Sequence, residues 1–316
     1  MKDTLQSSGP ILVTGATGFV GSALVRRLVS SGAAVHILAR KTSSPWRIKD
    51  IPEIALHYGD LANADSVKTV VNKVQPRGIF HLGVSNLIGA VGADNETLIQ
   101  TNIGGTAHLL DVASAVGFDF FVTVGSFLEY GFRDHPVRED ERCEPGELYG
   151  VTKLFGTLYG SALARSKNQP IVSLRLFTPY GPRNEPKRLT HAVISQALAD
   201  KPIALTSPTI SRDFIFIDDV VELLLEASRK AKEYRGEVFN AGSGIRTPLG
   251  DVVSYILEHT GSQTEVRWGS YHSVSYDSDA WQADMTKTFA HFSWRPKHSL
   301  HAGLDRTIEH FEKYGC

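Results

Sequence analysis

The sequence of 316 residues has few cysteines and almost no net charge. Its two cysteines, Cys143 and Cys316, lie far apart and in no Cys-x-x-Cys or other metal-ligand spacing, so we expect neither a disulfide framework nor a metal site. Lysine and arginine number 33 against 34 aspartate and glutamate residues, for a formal net charge of −1. This balance argues against binding to nucleic acid, which needs a basic surface.

Long apolar runs are also missing. No stretch approaches the roughly 20 apolar residues of a transmembrane helix, and residues 1–10 are polar, without the apolar centre of a signal peptide. The scarcity of cysteine is typical of a reducing compartment. We therefore expect a cytoplasmic protein without membrane partners, long enough to bury a substantial core in one large domain or two moderate ones.

Short apolar segments alternate with helical patterns through the first half of the chain, which is typical of a parallel sheet covered by helices on both faces. Six segments are predicted strands: residues 11–13, 35–39, 54–58, 78–82, 120–124 and 171–177. A turn-rich passage follows at residues 178–186, and the later elements are shorter. We predict a dinucleotide-binding domain over residues 1–177 and a smaller α/β substrate lobe over residues 178–316, some segments of which return to the first domain.

Two helix starts are predicted in the second half of the chain. Thr247 has the character of a helix N-cap with Pro248 at the first helical position. Ser299 is predicted to cap a final helix that extends to about Lys313.

A glycine-rich turn follows the first predicted strand and opens a helical pattern, with the sequence Gly15-Ala16-Thr17-Gly18-Phe19-Val20-Gly21. A strand, a tight turn and a helix in this order place the helix N-terminus where it binds the pyrophosphate of a dinucleotide. The predicted fold class is therefore α/β, a Rossmann-type doubly wound parallel sheet. The expected cofactor contacts in this turn are Gly15, Thr17, Gly18, Phe19 and Val20. An ordinary βα turn with incidental glycines is the alternative.

The end of the second strand indicates which dinucleotide binds. Proteins that select NAD usually carry an acidic residue there, which accepts a hydrogen bond from the ribose 2′-hydroxyl, whereas a 2′-phosphate needs a cation. Ala39 stands at this position, and Arg40 and Lys41 follow it with donors suited to a phosphate. We therefore expect NADP(H), with NAD as the alternative, because surface loops also carry Arg and Lys for solubility alone.

Tyr149 and Lys153 are four residues apart in a helical pattern, so their side chains are expected on one face. An ammonium group beside a phenol stabilises the phenolate and moves its pKa toward neutral pH, which suits a general acid or base. Ser126 ends the fifth predicted strand, where its hydroxyl is expected to donate to a substrate oxygen. The alternatives are a surface pair on a helix for Tyr149 and Lys153 and a turn or cap role for Ser126.

Further motifs occur along nearly the whole chain. They are Asp60-Leu61, His81-Leu82, Asn102, Tyr130-Gly131, residues 174–182, Arg212-Asp213-Phe214, Asp218-Asp219-Val220, Asn240-Ala241-Gly242 and Trp294-Arg295-Pro296. Together with the glycine-rich turn, Ser126, Tyr149 and Lys153, they resemble an extended short-chain dehydrogenase/reductase of the nucleotide-sugar epimerase, dehydratase and ketoreductase group. The set is far more specific than either the glycine-rich turn or the Tyr149/Lys153 pair alone.

The resemblance implies a role for each of these residues. Tyr149 would be the general acid/base, Lys153 would tune it and bind the nicotinamide ribose, and Ser126 would orient the sugar. Asp60, Leu61, Leu82 and Asn102 would add to the cofactor site, although Asp60 is also placed to cap the next helix. Phe127, Thr178, Arg188 and Arg212 would contact a nucleotide-diphosphate sugar, with Arg212 on the diphosphate. His81 is expected to pack as a neutral residue beneath the cofactor, and helices near residues 102–116 and 149–165 would form a homodimer.

Three departures from the family pattern narrow the reaction. Related 4,6-dehydratases carry acidic residues directly after the serine or threonine, where this chain has Phe127 and Leu128, which cannot transfer protons. Thr178 replaces the usual asparagine of its loop. A second diphosphate-binding arginine near residue 273 has no clear counterpart, although Arg267 and His272 are candidates.

We therefore expect an NADPH-dependent reductase of a nucleotide-linked 4-keto-6-deoxy sugar. An NAD-dependent nucleotide-sugar 4-epimerase is the alternative, because it would use the same Tyr149 and Lys153. A nucleotide-sensing protein without catalysis is a further possibility, since a fold alone does not establish an activity.

Overall fold

The computed structural model describes residues 9–85, 94–271 and 280–315. The chain divides into two compact units. The first contains Met1–Glu129, Pro145–Arg175 and Val221–Phe239, and the second contains Tyr130–Glu144, Leu176–Val220 and Asn240–Cys316.

The predicted boundary after residue 177, with some later segments returning to the first domain, differs from this division at residues 130–144, which belong to the second unit. The hydrogen bonds of this segment give the reason, because the Val137 N–H donates to the Gln282 carbonyl (2.9 Å) and the Val137 carbonyl accepts from Asn240 Nδ2 (2.8 Å). Residues 221–239 return to the first unit.

The parts of the chain that the structure describes contain twelve strands, numbered in chain order. They are β1 (Ile11–Thr14), β2 (Val35–Ala39), β3 (Ala55–Tyr58), β4 (Gly78–His81), β5 (Phe120–Ser126), β6 (Ile171–Leu176), β7 (Thr178–Tyr180), β8 (Ile203–Leu205), β9 (Ser211–Phe216), β10 (Val238–Ala241), β11 (Arg246–Pro248) and β12 (Val266–Trp268).

Ten α-helices accompany these strands within the described residues. They are α1 (Phe19–Ser30), α2 (Ala64–Val74), α3 (Asn95–Leu98), α4 (Gly105–Val116), α5 (Leu148–Lys167), α6 (Leu189–Leu198), α7 (Ile217–Lys230), α8 (Leu249–Thr260), α9 (Thr286–His291) and α10 (Leu300–Tyr314). A π-helical segment, Ile99–Gly104, joins α3 to α4. None of the helices in the described parts of the chain has the length and apolar character needed to cross a membrane.

A seven-stranded sheet has the order β10-β6-β5-β4-β1-β2-β3. Its pairs from β3 to β5 are parallel, with Thr14 in register with both Leu38 and His81, and His81 in register with Thr123. The carboxyl ends of β1, β2, β4 and β5 therefore lie at one edge, where ligands bind in doubly wound folds. The predicted Rossmann-type α/β fold is confirmed.

The core of the first unit is apolar and continuous. Every residue of β1 and β4 is buried, as expected of parallel strands covered on both faces. A cluster of buried aliphatic and aromatic side chains joins these strands to α2, α4 and α5 and includes Leu12, Val71, Ile79, Leu109 and Leu163. This packing holds the carboxyl edge of the sheet in place.

The second unit contains two small sheets, with the orders β11-β9-β7 and β12-β8. The helix predicted after Thr247 is present and begins one residue later than expected, because Thr247 lies in β11 in register with Arg212, Pro248 is the N-cap and α8 begins at Leu249. The prediction for Ser299 is confirmed, since its Oγ accepts from the Ala302 N–H (3.2 Å) at the start of α10.

Candidate functional site

The glycine-rich turn after β1 packs closely against the backbone of Leu82 and leads directly into α1. Gly15 has φ of +70°, and a Cβ there would lie 2.5 Å from the carbonyl carbon and oxygen of Leu82. The Gly18 N–H donates to the Gly15 carbonyl (3.0 Å), and α1 begins at Phe19. The first turn of α1, Phe19-Val20-Gly21-Ser22, has no acidic residue, so its N-terminus is suited to a phosphate. These residues fit a dinucleotide pyrophosphate.

The cations Arg40, Lys41 and Arg47 follow β2, and the last of them contacts this turn. Arg40 and Lys41 are exposed directly after β2, which ends at Ala39 without an acidic residue. Arg47 is buried, and its Nη1 donates to the carbonyl of Thr17 within the glycine-rich turn (3.3 Å). Arg47 was not predicted from the sequence. The sequence did contain a signal, because this cation stands between Trp46 and the apolar Ile48. A charged side chain in an apolar segment indicates a buried group with a specific partner, since charged side chains are seldom buried without one.

Asp60 and Leu61 follow β3 at the same edge. The Asp60 carboxylate accepts from the Ala62 N–H (3.0 Å) and so stabilises a turn, whereas α2 begins at Ala64 and is capped by Asn63. The suggested helix cap at Asp60 is therefore wrong. Leu61 is buried, and its carbonyl lies 3.2 Å from His108 Nδ1.

The loop after β4 is tied to two neighbouring elements. The Leu82 N–H donates to the Thr14 carbonyl (3.2 Å). Asn102, in the π-helical segment, accepts from the Ser85 N–H (2.8 Å) and donates to the Ser85 carbonyl and to Thr152 Oγ1, both at 3.0 Å. The side-chain amide of Asn102 thus links this loop to α5.

His81 is buried at the end of β4 between two threonine hydroxyls. Its Nδ1 lies 2.7 Å from Thr14 Oγ1 and its Nε2 lies 2.9 Å from Thr106 Oγ1. Burial, with a smaller contribution from the charge of Lys153, lowers the pKa of His81 to about 3. The imidazole is therefore neutral at physiological pH, which confirms the predicted protonation state.

Ser126 is the last residue of β5, as predicted, and is buried. Its Oγ accepts from the Leu128 N–H (3.2 Å), so the hydroxyl takes part in a turn and keeps its own hydrogen for another acceptor. Phe127 and Leu128 are half-buried in the short 3₁₀ turn Phe127–Glu129 that follows.

Tyr149 and Lys153 lie on α5, four residues apart, as predicted. The carboxylate of Glu147 caps this helix by accepting from the Tyr149 N–H (2.7 Å) and the Gly150 N–H (2.5 Å). Lys153 lines a small pocket in the first unit, together with Gly83, Val84, Asn102, Thr106 and Thr123. Burial lowers the pKa of Lys153 to about 8, and the negative charge of Glu129 opposes this decrease.

A buried ion pair beside Ser126 was missed from the sequence. Arg175 of β6 donates from Nε to Glu129 Oε2 (2.8 Å), and both side chains are almost completely buried. A signal was present, because Arg175 interrupts an otherwise apolar strand and Glu129 follows two apolar residues. Buried charges require partners, so each of these residues indicated a buried partner of opposite charge elsewhere in the chain.

In the second unit, β7 and β9 pair in parallel with Thr178 in register with Phe214, two residues beyond Arg212. Arg212 is half-buried and donates from Nη1 to the Ser211 carbonyl (2.8 Å), whereas Arg188 is exposed at the N-cap of α6. Arg267 is exposed and paired with Glu265 (2.7 Å), and His272 lies outside the described residues.

Asp213 stabilises the segments beside Arg212. This buried carboxylate accepts from Ser243 N and Oγ (both 2.7 Å) and from Gly244 N and Ala283 N (both 3.0 Å). Burial raises the pKa of Asp213 to about 6 despite these hydrogen bonds. Asp213 is one of the residues that carry the family resemblance. Its side chain forms its hydrogen bonds with other residues of the protein.

Comparison with known proteins identifies the family. The model of the NAD dependent epimerase/dehydratase family matches residues 11–242. A dTDP-glucose 4,6-dehydratase from Streptomyces griseus is 27% identical over 96% of this chain and 94% of its own length. An uncharacterized UDP-glucose epimerase from Bacillus subtilis is 30% identical over 94% of this chain and 96% of its own.

A solved structure gives the same result. UDP-glucuronic acid 4-epimerase from Bacillus cereus, in complex with UDP-glucuronic acid and NAD, has a TM-score of 0.86 and 28% identity, over 96% of this chain and 99% of that chain. The chain therefore belongs, as the resemblance predicted, to the NAD-dependent epimerase/dehydratase family and is an extended short-chain dehydrogenase/reductase with nucleotide-sugar epimerases and dehydratases as relatives.

Proposed function

We propose that this enzyme is an NADPH-dependent reductase of a nucleotide-linked 4-keto-6-deoxy sugar. The observation that carries the choice of cofactor is the end of β2, where Ala39 replaces the expected acid and the exposed Arg40 and Lys41 follow. Arginine and lysine bind a 2′-phosphate, whereas a carboxylate would repel it. The buried Arg47, held to the Thr17 carbonyl, adds a third positive charge near the glycine-rich turn.

Three side chains of the first unit would carry the proton chemistry. When bound, the nicotinamide cofactor supplies the hydride for the carbonyl carbon of the sugar. Tyr149 donates its phenolic proton to the oxygen that receives the electron pair of the carbonyl bond, and solvent restores that proton. Ser126 donates a hydrogen bond to the same oxygen, and Lys153 stabilises the resulting phenolate and binds the nicotinamide ribose.

Dehydration is disfavoured by the residues that follow Ser126. Phe127 and Leu128 are apolar, so neither transfers a proton. Glu129, the next residue, is buried and paired with Arg175, which leaves its carboxylate committed within the protein. A 4,6-dehydratase needs acid and base groups at the substrate, and these three residues do not provide them.

The substrate is proposed to be a nucleotide-diphosphate sugar, because relatives are named for UDP-sugars and dTDP-sugars. Arg212 would pair with the diphosphate, since its guanidinium donates two parallel hydrogen bonds to phosphate oxygens. Phe127, Thr178 and Arg188 would complete the contacts. The proposed cofactor contacts are those predicted from the sequence, namely Gly15, Thr17, Gly18, Phe19, Val20, Arg40, Lys41, Asp60, Leu61, Leu82, Asn102, Tyr149 and Lys153.

A 4-epimerase is the second candidate, because relatives are named as 4-epimerases and a solved relative contains NAD. This reaction would use the same Tyr149, first as base and then as acid, with a tightly retained NAD. The two candidates differ in whether the dinucleotide leaves after each turnover.

The cofactor experiment distinguishes these candidates. Freshly purified protein is denatured, any released dinucleotide is identified by mass spectrometry, and the apo protein is titrated with NADPH and NADH. If the protein is the reductase, the dinucleotide should exchange freely and NADPH should bind more tightly than NADH. The double variant R40S/K41S should lose this preference while its affinity for NADH stays unchanged. Retained NAD and a preference for NADH would overturn the reductase and support the epimerase.

Activity is then measured with Tyr149→Phe as the matched variant. Removing one hydroxyl is expected to lower kcat by roughly 10²- to 10⁴-fold, the usual contribution of general acid–base catalysis. The Kd of NADPH should remain at the wild-type value. A variant with the kcat of the wild type would contradict the role of Tyr149, whereas a wild type that binds NADPH but turns over no sugar would favour a nucleotide-sensing protein.

A homodimer is also proposed, from the resemblance. The helices predicted to form it are α4 and α5, and three large apolar side chains on or beside them are exposed, Ile99, Val151 and Leu158. Exposed apolar side chains grouped on one face are typical of an interface.

A further inference from the structure

The carboxylate of Glu129 is completely buried and accepts three hydrogen bonds from three different elements. Its Oε1 accepts from the Ser126 N–H at the end of β5 (2.8 Å). Its Oε2 accepts from Thr157 Oγ1 on α5 (2.9 Å) and from Arg175 Nε on β6 (2.8 Å). A single side chain therefore joins the strand that ends at Ser126 to the helix that carries Tyr149 and Lys153.

The surroundings leave this carboxylate little freedom. A Cβ at Gly125 would clash with Glu129 Oε1 and would lie 3.2 Å from Thr157 Oγ1, so the carboxylate lies directly against the backbone of β5. Thr157 is also buried and follows Lys153 by one turn of α5. Displacement of Glu129 would thus move either the backbone at Ser126 or the turn after Lys153.

Charge adds to this positioning. Lys153 of α5 interacts electrostatically with Glu129 and with the neutral His81 of β4, and Tyr149 precedes it by four residues on the same helix. Arg175 of β6 is paired with Glu129. The carboxylate counteracts the effect of burial on the pKa of Lys153, so it favours the protonated ammonium. An amide at residue 129 would keep the shape of the side chain and lose this effect.

We infer that Glu129 is a positioning residue, whose buried carboxylate holds Ser126 and α5 in a fixed arrangement and places a negative charge near the Lys153 ammonium. The inference rests on the proposed roles of Ser126, Tyr149 and Lys153. Glu129 exchanges no proton with the substrate, because its oxygens are already occupied by Ser126, Thr157 and Arg175.

The test uses two variants of the full chain and a matched control. In Glu129→Gln the new amide N–H faces the N–H of Arg175 Nε, so two donors meet. In E129Q/R175Q the two amides can donate to and accept from each other in place of the ion pair. Glu222→Gln is the control, because Glu222 also pairs with an arginine of the first unit (Arg27 Nε, 2.7 Å) but does not act on the charge of Lys153. Circular dichroism and thermal melting report whether each variant folds.

The expected result is a fall in kcat of about tenfold or more, since small displacements of catalytic groups have effects of this size. The KM and the Kd of NADPH should stay near wild type. The basic limb of the kcat pH profile should move to lower pH, because Lys153 loses its ammonium earlier, and Glu222→Gln should show none of these changes. A folded E129Q/R175Q protein with wild-type kcat and pH profile would overturn the inference.

Two further measurements keep the test decisive. If neither Glu129 variant folds, Thr157→Val removes one hydrogen bond from a side chain of the same shape, and an unchanged kcat and pH profile in this variant would overturn the inference. If the wild type does not reduce the sugar, the proposed function fails separately. The Lys153 ammonium is then titrated by NMR of ¹³Cε-labelled lysine, with Lys153→Met for assignment. A lower pKa in E129Q/R175Q supports the role of Glu129, and an unchanged pKa overturns it.

Discussion

Replacing Lys153 with methionine is expected to make the protein more stable while removing its activity. Burial lowers the pKa of Lys153 from 10.5 to about 8, so the folded state holds the ammonium proton less tightly than the unfolded state does. Each tenfold change in proton affinity is worth about 1.4 kcal/mol, so the charged lysine reduces the free energy of unfolding by about 3 kcal/mol at neutral pH. Methionine has a similar length and carries no charge.

The sign of the pH dependence provides a second check on the same variant. Below pH 8 Lys153 is protonated in both the folded and the unfolded state, so the full decrease in the free energy of unfolding is present. Between pH 8 and 10.5 the unfolded state binds more protons, so the free energy of unfolding of the wild type rises relative to Lys153→Met. The stability difference between the two proteins should therefore shrink across this window.

Urea denaturation of the wild type and Lys153→Met at pH 7, 8, 9 and 10 measures both effects. Lys68→Met, on the exposed face of α2, is the control and should change stability by no more than about 0.5 kcal/mol. If Lys153→Met is no more stable than the wild type at pH 7, the reasoning from burial is refuted. Cofactor must be absent, because a bound ligand stabilises the folded state independently.

Three other predictions test different parts of the molecule. Gly15→Ala should lose about 1–3 kcal/mol of stability and weaken NADPH binding, because φ is +70° and the new Cβ would lie 2.5 Å from the Leu82 carbonyl. Urea denaturation measures the stability and titration measures the binding, and wild-type values in both would contradict this prediction. Burial raises the pKa of Asp213 to about 6, so the free energy of unfolding should fall by about 2 kcal/mol as the pH rises from 4 to 6, and Asp213→Asn should remove this slope in urea melts. Leu158→Glu should weaken the proposed dimer by at least about tenfold, seen by light scattering during gel filtration, and an unchanged mass at low concentration would contradict it.

Local patterns predicted the first unit well. The strands at residues 35–39 and 78–82 and the helix around Tyr149 were recognised because apolar runs and helical spacing directly reflect burial in a parallel sheet. The Ser299 cap was recognised for a similar reason, since one hydroxyl satisfies the first N–H groups of α10 locally.

Long-range contacts were beyond the reach of local patterns. Thr247 has the sequence of a helix N-cap, but pairing with β9 holds it in a strand, and Pro248 takes the N-cap position instead. Residues 130–144 belong to the second unit because their hydrogen-bond partners are more than 100 residues away, as the Val137 carbonyl and Asn240 show. The pairing of Glu129 with Arg175 was also not predicted, because the two residues are 46 positions apart in the sequence. Each charge nevertheless stands among apolar residues, which indicated that it is buried.

The position of β10 in the sheet has a consequence for synthesis of the chain on the ribosome. In the finished sheet β6 lies between β5 and β10, and β10 is translated roughly 65 residues after β6, which takes about 3–13 s at common elongation rates. Until then the outer edge of β6 presents unpaired backbone groups, which are a template for aggregation. We expect nascent chains shorter than about 240 residues to depend on chaperones, and a truncated protein that ends before β10 to be insoluble.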